Sequence, residues 1–237
     1  MPNLATIEMI DSASSDIEKE KVFPLGSISK SFCGATAALI AVAGKFGTNR
    51  LNATIEETLQ LATENYPQRR EQISELRQIA AKLEILDAKL VELLNHSSGL
   101  SDGLEDWSGN PPYHPIKDAA NYQNKSALQI ADEKFALHRD KKGRHNYSNA
   151  NFVLLEEIIG LCSESGSYKQ ELQTRVLDKC KMLSSGDLYD FPDALENQVG
   201  KFVGADENGN LITVNIAYRA PGAQAKVALA QGGIAAS

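Results

Sequence analysis

The feature that most restricts the fold of this 237-residue chain is an apolar stretch that begins directly after a serine and a lysine. Its alanine, leucine, isoleucine and valine residues leave almost no polar face. The pattern therefore predicts a helix over Ile28–Lys45 that is buried nearly all round, with Gly44 and Gly47 at its C-terminal end.

Ser27 and Lys30 are three residues apart and would share one face of the first turn of this helix. The lysine amine can reach the serine hydroxyl and help to remove its proton. The helix N-terminus also offers N–H groups and a positive dipole end to an oxyanion. The same spacing arises by chance in a chain rich in serine and lysine, so it gains weight only from its context.

The composition is that of an ordinary globular protein, with 42% apolar and 23% charged residues. A net charge of -7 argues against a nucleic-acid partner, because phosphate binding needs a basic face. No apolar stretch approaches the roughly 20 residues of a membrane span. Cys33, Cys162 and Cys180 are far apart and have no histidine pair nearby, which predicts buried free thiols and no metal site.

The first 20 residues have neither a basic start nor an apolar core, so we expect no signal peptide and, by default, a cytoplasmic location. A periplasmic or secreted location is the alternative if the N-terminus is truncated. No linker divides the sequence, which predicts a single domain over residues 1–237.

Apolar periodicity predicts the remaining elements. In the long charged helix predicted over Pro67–Leu94, the stripe of leucine and isoleucine favours packing in the core of this chain over contact with a helix of a partner. The predicted elements are a strand over Leu4–Asp11, helices over Thr54–Ala62, Pro67–Leu94, Ser126–Arg139, an amphipathic Asn149–Leu161 and Tyr168–Cys180, and a hairpin that leads into a strand over Leu211–Tyr218.

A second polar cluster contains Tyr147 and Asn149 at the start of a helix. A lysine ammonium beside a phenol stabilises the phenolate, which makes Tyr147 a candidate base or proton relay. Asn149 can donate to a substrate carbonyl and accept from Lys30. The alternative is structural, with Asn149 as the helix N-cap and Tyr147 as a packing residue before it.

A third cluster, Leu93–Leu100, reads LLNHSSGL. His96 could serve as a base for Ser27. The stronger interpretation is the end of a helix, followed by polar capping groups and a glycine turn.

Taken in order, the segments Gly26–Phe32, Leu93–Leu100 and Tyr147–Leu155 resemble the serine β-lactamase-related family, which includes class C β-lactamases, D-alanyl-D-alanine carboxypeptidases and related esterases. The resemblance implies an α+β fold of the β-lactamase/transpeptidase type, with a mostly helical subdomain packed on an antiparallel sheet. It also implies a serine hydrolase that forms an acyl-enzyme on an amide, a β-lactam or an ester, without a metal or cofactor.

By the same resemblance, Ser27 would be the nucleophile, Lys30 its activating partner, Tyr147 the base and proton relay, and Asn149 the group that binds the substrate amide. The substrate would be a small molecule or a peptide. The resemblance assigns His96 to a structural turn.

The family's third motif, Lys/His-Ser/Thr/Gly-Gly, has no recognisable counterpart, because Gln231-Gly232-Gly233 lacks the cation. Residues 232–237 instead resemble a glycine pair that leads into a helix upstream of that motif. We therefore expect an incomplete sheet, a domain incomplete at its C-terminus and short at its N-terminus, and weak or no activity. Self-association or a completing chain is expected to follow, and a non-catalytic binding module that keeps the helical scaffold is the alternative function.

Overall fold

The computed structural model describes residues 23–101, 129, 132, 133, 135–182, 185–187, 200–205, 211–216 and 234–236, and most of them form a layer of packed helices. In chain order the helices are α1 (Ser29–Val42), α2 (Ile55–Asn65), α3 (Arg70–Lys82), α4 (Leu90–Leu94), α5 (Ala150–Cys162) and α6 (Tyr168–Leu172). The predicted strand over Leu4–Asp11 lies outside the described residues.

Helix α1 follows a 3₁₀ turn, Gly26–Ile28, and has one exposed face. Its buried side includes Cys33, Ala37 and Ile40, whereas Val42 is 70% exposed and Leu39 is 42% exposed. The prediction of a helix buried nearly all round is therefore wrong. An apolar run fixes the helix, but it does not say how many neighbours cover it.

Helix α5 is the buried centre of the helical layer, because α1, α2, α3, α4 and α6 all pack against it. Of its 13 residues only Glu156 and Glu157 are partly exposed. The predicted amphipathic helix is thus in the right place, but its outer face is covered. At its C-terminal end the Arg69 guanidinium donates to the main-chain carbonyls of residues 160, 161, 163 and 164, and it stacks over the Tyr66 ring.

Helix α2 begins with a reciprocal cap in which the Thr54 hydroxyl accepts from the Glu57 N–H and the Glu57 carboxylate accepts from the Thr54 N–H. The single helix predicted over Pro67–Leu94 is divided. The chain changes direction after Lys82, at a bend where Glu84 has a φ of +56°. The main chain of residues 86–90 then pairs with the start of α2. The prediction that its apolar stripe packs in the core is confirmed at five buried positions: Ile73, Leu76, Ala80, Leu83 and Leu90.

The segment after α5 follows the sequence expectation, whereas the segment after α4 follows it only in part. Helix α6 continues as a π turn over Gln173–Leu177, in agreement with the predicted helical segment. In the segment predicted as a helix over Ser126–Arg139, the described residues 129, 132 and 133 are helical, as expected. The end of the segment differs, because Leu137 pairs with Leu100 and Arg139–Lys141 form a 3₁₀ turn.

The described strands form two small antiparallel sheets. Strand β1 (Phe23–Pro24) and strand β2 (Gly186–Asp187) both pair with β5 (Ile234–Ala236), while β3 (Gly200–Ala205) pairs with β4 (Leu211–Ile216). The strand predicted over Leu211–Tyr218 agrees with β4. The helix expected after Gly232–Gly233 is wrong over residues 234–236, because this segment is extended between two strands. The incomplete antiparallel sheet stays a prediction.

The three cysteines are free, but they differ in exposure. Cys33 and Cys162 are buried, as predicted, whereas Cys180 is exposed in the turn that follows the π turn. Burial raises the pKa of the Cys162 thiol to about 12 and raises that of Cys33 still further. The two buried thiols are therefore protonated apolar fillers of the core.

Candidate active site

Ser27 and Lys30 lie at the start of α1, with the serine in the 3₁₀ turn and the lysine in the first helical turn. The Lys30 ammonium donates a hydrogen bond of 3.3 Å to the Ser27 hydroxyl. The Ser27 side chain is exposed, whereas Lys30 is only 8% exposed. A carbonyl compound can thus reach the hydroxyl from solvent while the cation beside it is shielded from water.

Tyr147 reaches the same hydroxyl from a loop 120 residues away in sequence. Its Oη lies 2.7 Å from Ser27 Oγ, and either oxygen can be the donor. The Lys30 Nζ lies 5.2 Å from the centroid of the Tyr147 ring. Serine, lysine and tyrosine, which the sequence singled out separately, are therefore in mutual contact.

Asn149 is the last residue before α5 and is 5% exposed. Its Oδ1 accepts from the Tyr147 hydroxyl at 3.5 Å. The N-cap alternative does not hold for its side chain, because Asn149 has helical backbone angles and makes no capping hydrogen bond. The packing alternative for Tyr147 does hold in part, since its ring lies against His96, although 41% of the residue is exposed.

This arrangement can support proton transfer to or from a serine. A hydroxyl contacted by a phenol and an ammonium has one partner that can take its proton and another that stabilises the resulting negative charge. Among the described residues no group of three His, Cys, Asp or Glu side chains is placed to hold a metal ion.

The comparison with protein families matches a beta-lactamase model to residues 12–186, which is most of the sequence. The chain belongs to the beta-lactamase family. The match includes the turn with Ser27, the LLNHSSGL cluster and the loop with Tyr147. No curated protein sequence matches the chain significantly.

Solved structures with the β-lactamase/transpeptidase-like fold resemble this family member over most of its length. One is a D-amino acid amidase from Ochrobactrum anthropi SV3 in complex with D-phenylalanine, with 20% identity and a TM-score of 0.59 over 92% of this chain and 54% of that one. A D-stereospecific amidohydrolase from Streptomyces sp. has 16% identity and a TM-score of 0.57 over 92% and 57%. An octameric penicillin-binding protein homologue from Pyrococcus abyssi has 21% identity and a TM-score of 0.52 over 92% and 42%.

The family member thus spans between 42% and 57% of the length of these three structures. Their identities to it are low, so the likeness establishes the fold. Among the described residues none of the helices combines the length and the hydropathy that a membrane span requires.

The third sequence cluster of this beta-lactamase family member is a turn that braces the loop carrying Tyr147. We call residues Asn95–Ser101 the support turn. Its main-chain oxygens accept from the loop, with Gly143 N–H to Ser97 O at 2.8 Å and Asn146 N–H to His96 O at 2.7 Å. The hydroxyl of Ser148 adds a bond of 3.0 Å to the carbonyl of Ser101.

The side chain of His96 belongs to this brace. Its Nδ1 accepts from the Ser148 N–H at 3.1 Å, and Asn151 Nδ2 lies 3.5 Å from the same atom. None of the hydrogen bonds described for His96 reaches Ser27, so the structural interpretation of this cluster fits the geometry better than a base for the serine. Burial lowers the pKa of His96, and the positive charges of Lys30 and His145 lower it further.

Two residues that the sequence interpretation did not assign to the site complete the brace. The Ser98 hydroxyl donates to Asn151 Oδ1 at 2.5 Å and accepts from the Leu100 N–H at 3.1 Å. Both Ser98 and Asn151 are almost fully buried. Asn151 follows Asn149 by two residues inside a strongly apolar helix, and a buried amide in such a helix is the signal that could have indicated a polar partner.

Proposed function

We propose that this chain is a serine hydrolase that acts by acyl transfer, with Ser27 as the nucleophile. One observation carries the proposal: Ser27 Oγ lies 2.7 Å from Tyr147 Oη and 3.3 Å from Lys30 Nζ. A serine needs such partners because its own hydroxyl is a weak acid. Its position before α1 also places it where backbone N–H groups and the helix dipole favour an oxyanion.

In the acylation step, Tyr147 acts as a phenolate that Lys30 stabilises, and it accepts the proton of Ser27 as Oγ bonds to the carbonyl carbon. The tetrahedral intermediate then collapses, its bond to the leaving group breaks, and the leaving group takes the proton from Tyr147. Water repeats the sequence on the acyl-enzyme, with Tyr147 as its base, and releases the acid. Asn149 would donate to the substrate amide oxygen.

The substrate class we propose is an amide, β-lactam or ester of a small molecule or peptide. The similarity to a D-amino acid amidase and a D-stereospecific amidohydrolase makes D-configured amides the first compounds to assay. We expect slow turnover from this chain, because the third motif, which would supply a second oxyanion donor, is not recognisable in the sequence. Loss of one such donor costs about 10²–10³ in rate.

We further propose that the chain self-associates. The support for this is the apolar face of α1, on which Ile28 is 60% exposed, Leu39 42% and Val42 70%. Exposed apolar side chains on one face of a helix favour contact with another apolar surface. The Pyrococcus abyssi relative is described as octameric.

Covalent labelling tests the hydrolase proposal. A fluorescent penicillin and a fluorophosphonate probe should each modify Ser27, located by peptide mapping, and the modification should disappear in Ser27→Ala. The matched control is Ser31→Ala, which removes an exposed serine one turn further along α1 and should be labelled like the wild type. Tyr147→Phe should be acylated more slowly.

Two outcomes contradict the proposal. If neither probe labels Ser27 at any pH between about 6 and 9, where general bases usually operate, the chain is better described as a binding module with the same scaffold. If Ser27→Ala is labelled as fast as the wild type, another residue is the nucleophile.

A further inference from the structure

One residue of the support turn contacts three consecutive residues of the loop before α5. The main-chain oxygen of His96 accepts from the Asn146 N–H at 2.7 Å, and its Nδ1 accepts from the Ser148 N–H at 3.1 Å. Between these two bonds the His96 ring packs on the Tyr147 ring, with 4.5 Å between centroids and 31° between planes. The main chain of Tyr147 is thus held on both sides, and its ring is supported by the imidazole.

We propose that neutral His96 is a positioning residue for Tyr147, a role that rests on the proposed function of Tyr147 as the base. The imidazole accepts a hydrogen bond from the Ser148 N–H and packs against the phenol ring of Tyr147. Together these contacts keep the Tyr147 hydroxyl within hydrogen-bond distance of Ser27. Movement of the phenol away from Ser27 would have to break one of the three contacts. Misplacement of a catalytic group by about 1 Å can cost 10²-fold in rate.

The hydrogen bonds around the ring require an unprotonated Nδ1. Asn151 is fixed by the Ser98 hydroxyl, which donates to its Oδ1, so the amide presents its NH₂ group to His96. Nδ1 therefore faces two donors, and the imidazole proton resides on Nε2. A proton on Nδ1 would meet the Ser148 N–H and break the bond.

The charges around His96 act in the same direction. Lys30 on α1 and His145 on the loop are the positive groups that face it, and Tyr147 is the titratable group stacked on it. Burial and the two positive neighbours lower the pKa of His96 below its usual value near 6.5. As the pH falls through that pKa, the ring becomes a cation, the Ser148 bond is lost, and acylation of Ser27 should slow.

Two substitutions separate the functions of the ring. His96→Asn keeps an acceptor, since Oδ1 occupies nearly the place of Nδ1. Asparagine also accepts the positive φ of this residue, which is +60°. His96→Phe keeps an aromatic ring but has no acceptor. His145→Gln is the control for the neighbouring histidine, whose ring lies 5.7 Å away.

The measurement is the rate of Ser27 labelling between pH 4.5 and 8. We expect an acid limb in the wild type that disappears in His96→Asn, whose rate at pH 7.5 stays within about tenfold of the wild type. In His96→Phe we expect a fall of about 10²-fold at that pH. In His145→Gln the limb should persist with a higher midpoint, because removal of a positive charge raises the pKa of His96. An unchanged limb in His96→Asn, or a limb that disappears in His145→Gln, overturns the proposal.

Nitrogen NMR of the histidine rings supplies a readout that does not depend on activity. The Nδ1 of His96 should be unprotonated at pH 7.5, and the Ser148 amide and the Tyr147 ring resonances should titrate with His96. The positioning role is overturned, even if Ser27 is labelled, if Nδ1 is protonated at pH 7.5. It is also overturned if the Tyr147 resonances do not shift as His96 titrates. Conversely, if the wild type is never labelled while these NMR shifts are seen, the proposed function fails and the placement of Tyr147 by His96 stands.

Discussion

Replacement of Gly99 by alanine should destabilise the fold far more than the same change at Gly143. Both glycines have positive φ, +85° and +79°, so each variant must place an alanine in the left-handed backbone region, which costs about 1 kcal/mol in the free energy of unfolding. A Cβ at Gly99 would lie 2.9 Å from the His138 oxygen and 3.0 Å from the Lys142 nitrogen, whereas a Cβ at Gly143 would have no atom of the described residues within 4 Å. The atoms that obstruct Gly99 are main-chain atoms, which cannot rotate away.

The difference between the two variants can be worked from these contacts. Overpacking against backbone costs about 1–3 kcal/mol beyond the conformational term. We therefore expect a loss of about 2–4 kcal/mol in the free energy of unfolding for Gly99→Ala and about 1 kcal/mol for Gly143→Ala. Urea unfolding followed by circular dichroism at 222 nm measures both, and unchanged m values would assign the shift to stability.

The Gly99 variant should also label Ser27 more slowly, because the obstructed contacts join the support turn to the segment that leads to Tyr147. If the two variants differ by less than about 0.5 kcal/mol, the close approach at Gly99 does not constrain the fold as described. Unimpaired labelling of a destabilised Gly99→Ala would separate the turn from the site.

Arg69→Met should lower the free energy of unfolding by about 2–3 kcal/mol, because four carbonyls at the end of α5 lose their donor. The control is Arg70→Met at the exposed neighbouring position, which should change the free energy of unfolding by less than about 0.5 kcal/mol. Equal effects of the two substitutions in urea titrations would rule out this role of Arg69. Val42→Lys should reduce self-association in sedimentation velocity without a change in the unfolding midpoint, and Ser74→Lys, at an exposed position of α3, should leave association unchanged. An unaltered sedimentation profile in Val42→Lys would place the contact elsewhere.

The sequence located the helices better than it ranked their burial. The helix predicted over Thr54–Ala62 and the apolar stripe of α3 have local patterns, so their positions followed directly. The relative burial of α1 and α5 was reversed, because an apolar run does not reveal how many helices surround it. The amphipathic pattern expected for α5 implied a solvated face, whereas only Glu156 and Glu157 of this helix are partly exposed.

The break between α3 and α4 had no glycine or proline to signal it. The turn passes through Glu84, which has a positive φ that is unfavourable for a residue with a side chain. Long-range hydrogen bonds compensate this conformational cost, because the main chain of residues 86–90 bonds to residues 53–56 at the start of α2. Such a compensation cannot be inferred from a window of neighbouring residues. Helical periodicity continued across the break, since Leu83 and Leu90 are both buried.

At the candidate site, the chemistry was easier to predict than its support. Ser27, Lys30, Tyr147 and Asn149 were selected because their side chains can react or donate, and the structure brings them together. The role of Gly99 depends on main-chain atoms some 40 residues away, which no local pattern encodes.

The support turn also explains why a segment without catalytic side chains accompanies the serine and tyrosine motifs. Tyr147 lies in an irregular segment, so no helical or strand hydrogen bonds fix its main chain, and its hydroxyl must still meet Ser27 at 2.7 Å. His96 supplies a bond on each side of it, and Ser98 fixes the amide that faces His96. The turn can approach the loop this closely only because position 99 has no Cβ. The polar residues of this segment are therefore required by the geometry of the tyrosine, and their substitution should impair acylation through Tyr147 and not through Ser27 itself.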